Sequence, residues 1–275
     1  MKKETLLLLL VLASGFIYGQ KKPKIKGNKN VVEIREYLPA FKAIQLNDDL
    51  DIILQKSSEE SYDITADDNL IDIFKFKVED STLIISSFYK VTGKKKLEIK
   101  VNYKKLEAIT LRDGKVLGES MISSDRFYIS TFGSSKLKLN VSAGLMHVNM
   151  EGNSSGDFNI DSDSLYVSLK DKVDLNMYSV SETARFEMYK NATVKLDGTT
   201  DSLHLKLVEN TNFKGEKLEV ASALLNLEGS PTARVYVYKE IELISSGTSK
   251  TILSGNPKIT ITEFLNKSLL RKEED

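Results

Sequence analysis

Apolar and polar residues alternate along most of the chain with a period of two, rather than with the 3.6-residue period of an amphipathic helix. Segments such as DLDIIL (49–54) and KLEIKVNY (96–103) have this pattern, and Asp, Ser, Gly and Asn residues separate them. The pattern is typical of half-buried strands that are joined by short turns. The sequence therefore predicts an all-β protein.

From residue 107 onward the alternation becomes an internal repeat. Six copies between residues 127 and 231 have apolar or small residues at the first, third and fifth positions, except for Thr131, and a glycine or polar residue at the seventh, and one earlier and one later copy continue the series. The third-position residues are Ile109, Ile129, Val148, Val167, Phe186, Leu205, Leu225 and Leu243. They are 18 to 20 residues apart, and so regular a period indicates stacked structural repeats.

A second set of alternating segments, from LKLNV (137–141) to ARVYV (233–237), lies between these copies. Two folds accommodate two short strands per period. A β-solenoid stacks each period as one coil, which places equivalent residues about 4.8 Å apart on successive coils. An antiparallel β-sandwich instead turns each period into a hairpin. We favour the solenoid, with coils of about 19 residues, because a sandwich has no need to keep its strands and turns in step.

The first 19 residues, MKKETLLLLLVLASGFIYG, contain two lysines, a short apolar run and a small final residue. This pattern predicts a secretory signal peptide, and the run is shorter than the ~20 residues of a membrane-spanning helix. We therefore expect an exported protein, in the periplasm or at the cell surface, with no integral membrane segment after cleavage. The predicted organisation is signal peptide 1–19, linker 20–37, N-terminal β region 38–106, β-solenoid 107–261 and charged C-terminal tail 262–275.

The composition argues against several classes of function. The chain has 39 basic and 39 acidic residues, so as a whole it has no electrostatic attraction to nucleic acid. It has no cysteine, which excludes disulfides, thiolate metal sites and the acylated cysteine of a bacterial lipoprotein. The carboxylates between Asp157 and Asp174 match neither an EF-hand loop nor a calcium-binding nonapeptide repeat. We predict neither a metal site nor a cofactor.

The segment 152–156 reads GNSSG and matches G-x-S-x-G, the nucleophile motif of serine hydrolases. A nucleophile of that kind needs a helix after it, but the strand-like segment DFNID (157–161) follows here. Other copies of the repeat have the turn sequences GSSK and GSPT at the same place. We therefore predict that Ser154 is a turn residue and that the protein is not an enzyme.

The second position of each repeat is predicted to point outward, and five consecutive members of that column are large. They are Tyr128, His147, Tyr166, Arg185 and His204. At about 4.8 Å per coil they span ~19 Å. This column is a candidate ligand-binding surface, because aromatic rings with hydrogen-bond donors beside them suit sugar rings. The alternative is that tall neighbouring side chains on a sheet simply stack on each other.

A series of short motifs occupies FKAIQLNDDLDIILQKSSEESYDITADDNLIDIFKFKVEDSTLIIS (41–86) and KLEIKVNYKKLEAITLRDG (96–114). The series is F-x-x-I, D-L-D-I-x-L-x, D-x-N-L and T-L-x-I, followed by repeated short strands with GSS-type turns. Over roughly residues 38–261 the chain resembles the head GIN domain family, labelled "putative auto-transporter adhesin" and common among exported proteins of Bacteroidota. The resemblance implies a right-handed β-helix-like fold and an extracytoplasmic location. It brings no catalytic residues.

Three functions are compatible with these observations. The first is a non-enzymatic binding or adhesion module of the cell envelope, with a surface glycan or protein as its partner and no role for nucleic acid. The second is a β-helix enzyme that acts on polysaccharide, and the third is an envelope structural protein without a ligand. We favour the first, because no face of the predicted solenoid gathers the carboxylates or basic residues that such an enzyme needs.

Overall fold

The computed structural model describes residues 22–273, so the predicted signal peptide, residues 1–19, lies outside the described residues. The described chain is almost entirely β-strand, with one short 3-10 helix at Asp68–Ile73. The strands are β1 (Lys24–Lys26), β2 (Val31–Tyr37), β3 (Ala43–Leu46), β4 (Asp51–Lys56), β5 (Ser61–Asp67), β6 (Phe74–Glu79), β7 (Thr82–Ser87), β8 (Lys90–Gly93), β9 (Leu97–Tyr103), β10 (Ala108–Arg112), β11 (Lys115–Phe132), β12 (Lys136–Met150), β13 (Ser155–Asp171), β14 (Asp174–Lys190), β15 (Thr193–Glu209), β16 (Asn212–Gly229), β17 (Thr232–Ser245), β18 (Lys250–Ser254), β19 (Lys258–Phe264) and β20 (Leu269–Lys272).

Strands β10 to β18 stack in parallel, each on the next, and form the coils of a β-solenoid. The register advances by one period per coil, so that Val148 pairs with Val167 and Phe186 pairs with Leu205. The solenoid has about nine turns with a spacing of about 19 residues. The predicted solenoid is confirmed, and the antiparallel sandwich is wrong because these ladders are parallel.

Each long strand bends once and supplies two sides of its coil. In β13 the buried residues alternate through Phe158 and Ile160, and the alternation resumes one residue out of step at Leu165 and Val167. The change of phase marks the corner of the coil. We call the side that contains Phe158 the first side and the side that contains Val167 the second side. Equivalent residues of the other coils belong to the same sides because the register is parallel.

The third-position residues of the repeat form a buried column on the second side, as predicted. Ile129, Val148, Val167, Phe186, Leu205, Leu225 and Leu243 are each no more than 2% exposed. Burying a side chain of this size contributes about 1.5–3 kcal/mol, so the column holds successive coils together. Thr131, at the fifth position of its copy, is also buried, and its hydroxyl has no hydrogen-bond partner within the described chain.

The turn between coils repeats one backbone conformation, in which a residue has a left-handed φ. Gly152 has this conformation, with φ of 82°, and so do Asp171, Lys190 and Glu209 in the next three coils. At Gly152 an added Cβ would lie 2.7 Å from the carbonyl oxygen of Gly133, so that turn has no room for a side chain. The glycine-containing turns predicted from the repeat are therefore required by local geometry, whereas the non-glycine turns carry roughly 1–2 kcal/mol of strain each.

Antiparallel strands close the N-terminal end of the solenoid. β5 pairs antiparallel with β2 and β9, and β6 pairs antiparallel with β7, while β3 and β4 join the parallel ladders of the coils. The 3-10 helix inserts Leu70, which is fully buried, over the core. These elements cover the end of the hydrophobic interior.

The predicted linker, residues 20–37, instead contains β1 and β2. The carboxylate of Asp67 orders it, because this group accepts hydrogen bonds from the backbone N–H of Lys29 at 3.1 Å and of Lys95 at 3.1 Å. Gly27 packs so closely on that carboxylate that an added Cβ would overlap it. The segment is polar, but long-range hydrogen bonds hold it in place.

The C-terminal end differs from the N-terminal end. β19 pairs only with β17, and β20 pairs only with β18, so the last coil has no strand on its outer side among the described residues. Part of the predicted charged tail, residues 262–275, belongs to this coil, since β19 runs to Phe264 and β20 follows.

Candidate ligand-binding surface

The outward column predicted from the repeat is present in the structure on the second side of the coils. Tyr128 pairs with His147, His147 with Tyr166, Tyr166 with Arg185 and Arg185 with His204, each on an adjacent strand. The register prediction is therefore confirmed residue by residue. The side chains point outward because their neighbours along the strand, such as Val148 and Val167, point into the core, and successive residues of a strand alternate faces.

Three members of the column form a ring stack. The ring centroids of Tyr128 and His147 are 5.2 Å apart and those of His147 and Tyr166 are 4.9 Å apart, with interplanar angles of 11° in both pairs. The two tyrosines are 42% and 41% exposed. Mutual stacking, which the sequence left as the alternative to ligand binding, is thus confirmed, and ligand binding stays a prediction.

Arg185 follows the ring stack along the column but turns toward its own strand. Its guanidinium donates to Oε1 of Glu187 from Nη2 at 2.8 Å and from Nε at 3.1 Å. The hydroxyl of Tyr189 donates to the other carboxylate oxygen at 3.1 Å. The hydrogen bond from Arg185 lowers the pKa of Glu187, so this carboxylate is ionised at neutral pH.

An open groove of about 340 Å³ runs beside the ring stack. One wall consists of the ring stack and Arg185, and the other consists of the outward residues two positions further along each strand. These further residues are Ser130, Asn149, Ser168 and Glu187. The groove therefore combines the sides of three rings with hydroxyl, amide and carboxylate groups, a composition that is common in ligand sites.

His204 belongs to the column but not to the groove. It lines a separate depression of about 330 Å³ with Ser202, Ser222, Glu240 and other residues nearer the C-terminal end. The structure therefore brings four of the five predicted site residues to one groove, and the fifth, His204, lines neighbouring depressions, one of them together with Arg185. Sequence reasoning missed the second wall of the groove, although the fourth position of the same repeat identifies it.

The outward surface of the first side is more polar. A depression of about 480 Å³ there is lined by alternating charged, amide and aromatic residues, among them Asp157, Lys138 and Tyr178. Asp157 forms an ion pair with Lys138 at 3.3 Å. Across residues 22–273, His, Asp and Glu residues nowhere gather in a group of three or more that is placed to hold a metal ion.

Ser154 is a turn residue, as predicted. Its side chain is buried, and its Oγ donates to the carbonyl oxygen of Glu151 at 2.7 Å. A strand begins directly afterward, at Ser155. The equivalent position in the next two coils is Val173 and then Ala192, so this position serves to fill the turn with a small side chain rather than to present a nucleophile.

Comparison with solved structures shows the same fold in several proteins. A "putative adhesin" from Parabacteroides merdae is 17% identical with a TM-score of 0.62, and the match covers 91% of this chain and 99% of that one. A "putative adhesin" from Parabacteroides distasonis is 16% identical with a TM-score of 0.64, covering 90% and 99%. A "putative lipid binding protein" from the same species is 19% identical with a TM-score of 0.60, covering 91% and 99%.

No curated protein sequence matches the chain. Within residues 22–273, none of the helices has the length and apolar character needed to cross a bilayer. The model of one family, described as "Putative auto-transporter adhesin, head GIN domain", matches residues 40–159 and again residues 151–257. Together these matches cover most of the chain and include every coil that carries the ring stack and its groove. The protein is a member of the head GIN domain family.

Proposed function

We propose that this protein is a non-enzymatic binding module of the cell envelope and that its groove beside the ring stack holds an extended carbohydrate. The observation that carries this proposal is the stack of Tyr128, His147 and Tyr166 on three successive coils, with polar side chains across the groove. Exposed aromatic rings on a rigid sheet provide apolar contact area at a low cost in conformational entropy.

The direction of the groove favours a polymer. Equivalent residues of successive coils lie about 4.8 Å apart along the solenoid axis, so rings and polar groups recur at a constant interval. A chain of sugar units that lies along this axis meets the same pair of walls at each step. His147 has both ring faces covered by the tyrosines. The ligand therefore contacts the ring edges and the phenol hydroxyls, while Asn149, Ser168 and the Arg185–Glu187 pair hydrogen-bond to its hydroxyl groups.

The charges in the groove favour binding over hydrolysis. Glycoside hydrolysis generally uses two carboxyl groups, and the one that acts as general acid needs a raised pKa. Glu187 is the only carboxylate among the described residues that line the groove, and its pKa is lowered by the hydrogen bond from Arg185. The enzyme alternative therefore lacks both the second carboxylate and the required pKa.

A lipid ligand, which the description of one structural relative suggests, has less support here. The inward columns of the coils fill the solenoid with buried side chains, and the groove is open, with polar side chains along one wall. A location in the envelope is favoured by the signal-peptide pattern of residues 1–19 and by relatives described as adhesins.

Binding of the purified protein to an array of neutral and acidic oligosaccharides tests the ligand class. The Tyr128→Ala/Tyr166→Ala double variant should bind at least about tenfold more weakly, since loss of ~1.4 kcal/mol corresponds to a factor of ten. The matched control is Tyr178→Ala/Tyr238→Ala, which removes two tyrosines of similar exposure, 51% and 45%, outside the groove. Equal loss in both variants would refute the site, and binding to protein but to no glycan would refute the ligand class.

Protease accessibility of a tag in intact cells tests the location. Cleavage at the surface of intact cells, with a periplasmic protein left uncleaved, is the result expected of an adhesion module. Protection until the outer membrane is broken would contradict adhesion and leave a binding role inside the envelope.

A further inference from the structure

The last coil of the solenoid exposes residues that belong to the core. Ile259 continues the buried column of Ile241, and Ile261 continues that of Leu243. In the preceding coil these two positions are 2% and 1% exposed, but Ile259 is 42% exposed and Ile261 is 48% exposed. Both side chains face inward by register, and their exposure arises because none of the residues 22–273 forms a further coil over them.

The same coil presents an unpaired strand edge. β19 forms its ladder with β17 on one side, and all seven of its residues are exposed. An edge strand of this kind is a template for pairing with another strand. At the other end of the solenoid the core is covered by antiparallel strands and the 3-10 helix, so the two ends cannot stack head to tail in the same way.

The charges on β19 are self-complementary. Glu240 pairs with Lys258, Glu242 with Thr260 and Ile244 with Glu263, so Lys258, Thr260 and Glu263 share the outward face. A register shift between Leu243 and Ile244 adds one residue to β19, so Glu263 reaches that face beside Thr262, whose Oγ1 donates to Oε1 of Glu242 at 2.9 Å. Neither Lys258 nor Glu263 forms an ion pair with another residue of 22–273.

We propose that two copies of this chain associate through their C-terminal coils, with β19 pairing antiparallel to the partner's β19 about a two-fold axis at Thr260. In this register Ile259 lies opposite the partner's Ile261, and Lys258 lies opposite the bulged pair of the partner's Thr262 and the partner's Glu263. Each contact occurs twice because a two-fold interface is self-complementary. Opposite charges and apolar pairs that face each other across strands both stabilise a sheet.

The arrangement determines where the two ring stacks lie. In an antiparallel continuation of the sheet, inward residues meet inward residues, so the second sides of both copies face the same direction. Tyr166 is five coils from Thr260, which places it and the partner's Tyr166 about 50 Å apart at ~4.8 Å per coil. The dimer would present two grooves to one surface, and two linked sites raise avidity without new contacts. The association itself does not depend on the proposed function.

Sedimentation velocity of the purified protein over a range of concentrations measures the association. The unmodified chain should form a dimer and no larger species. Lys258→Glu and Glu263→Lys should each weaken the dimer at least about tenfold, because each places like charges opposite one another twice. Lys267→Glu, in the turn of the same coil, is the matched control and should leave the dimer intact.

A mixture of the two weakened variants provides the decisive result. Mixing Lys258→Glu with Glu263→Lys restores opposite charges at both contacts, so a mixed dimer should form at the concentrations at which the unmodified chain dimerises. The Lys258→Glu/Glu263→Lys double variant should also dimerise. A monomer at all concentrations, concentration-dependent growth beyond a dimer, or failure of the mixture to associate would each overturn the proposal. Melting temperatures of the single variants close to that of the unmodified chain show that all of them are folded.

Discussion

At the N-terminal end of the solenoid, antiparallel strands and a 3-10 helix cover the core, whereas at the C-terminal end the last coil leaves core residues exposed. Leu70 at the first end is fully buried, but Ile261 at the second is 48% exposed. The stability of stacked repeats is approximately a sum of terms for each repeat and for each interface between neighbours. The C-terminal coil has one such interface and every inner coil has two, so local opening should begin at the C-terminal end.

The largest loss of stability is expected from a substitution in the middle of the solenoid, because an inner coil packs against a neighbouring coil on each side. Leu205→Asp places a carboxylate in a position that is 2% exposed, which costs several kcal/mol and rivals the total stability of many proteins. His204→Asp, at the neighbouring outward position, should change the unfolding free energy by less than about 0.5 kcal/mol. Thermal unfolding of the two variants tests which side chain points into the core. Equal decreases in melting temperature would mean that the register is wrong.

The stability contributed by the two ends can be compared by replacing one large apolar residue at each end with alanine. Leu70→Ala should cost about 2–5 kcal/mol, as deletion of a large buried side chain usually does. Ile261→Ala removes a half-exposed side chain and should cost less than about 1 kcal/mol at a concentration at which the protein is monomeric. Urea unfolding measures both, and a larger cost at Ile261 than at Leu70 would contradict the view that only the N-terminal end is closed.

As the pH falls, the N-terminal end should lose stability before the later coils of the solenoid do. The guanidinium of Arg35 donates hydrogen bonds that lower the pKa of Asp63. Burial acts to raise the pKa of Asp67, but backbone N–H groups of Lys95, Lys29 and Lys96 outweigh it and lower that pKa as well. A carboxyl whose pKa is lower in the folded protein stabilises it above the unfolded value of about 4, and this contribution is lost as the pH falls through the folded value.

Hydrogen exchange between pH 6 and pH 3 measures this loss, and amides of β2, β5 and β9 should lose protection before those of β15 to β17. Asp63→Asn should cost about 1–3 kcal/mol at neutral pH and make stability at this end less dependent on pH. Uniform loss of protection along the chain would show that these carboxylates have no special role.

The smallest effect on stability is expected on the outward column. Removing the ring stack by Tyr128→Ala/Tyr166→Ala deletes two neighbouring pairs, each worth roughly 0.2–1 kcal/mol. The double variant should therefore remain folded, with a slightly lower melting temperature, while its ligand binding is lost. A drop as large as that of Leu70→Ala would indicate a structural role for the ring stack.

The repeat region could be predicted from the sequence almost residue by residue, because a constant period sets both the register and the inward face. Tyr128, His147, Tyr166, Arg185 and His204 lie on one column for that reason. The N-terminal end could not be predicted in the same detail. Alternation in residues 61–87 predicts strands but does not distinguish parallel from antiparallel pairing.

The order of residues 24–37 depends on contacts that leave no local pattern, namely the ladders of β1 with β8 and of β2 with β5 and the hydrogen bond from Lys29 to Asp67. The second wall of the groove was missed for another reason. Ser130, Asn149, Ser168 and Glu187 differ in residue type, so they form no visible pattern until the register aligns them. The hydrogen bonds of Arg185 to Glu187 are a side-chain preference that the repeat does not encode.

The central claim, that the groove beside the ring stack binds a ligand, is tested most directly by NMR of the histidine side chains. The chain has two histidines, His147 inside the ring stack and His204 two coils beyond Tyr166. Oligosaccharides titrated into the purified protein should shift the ring signals of His147 in a saturable way and leave those of His204 unchanged. If every oligosaccharide tested leaves His147 unchanged, or shifts both histidines alike, the groove is not the binding site.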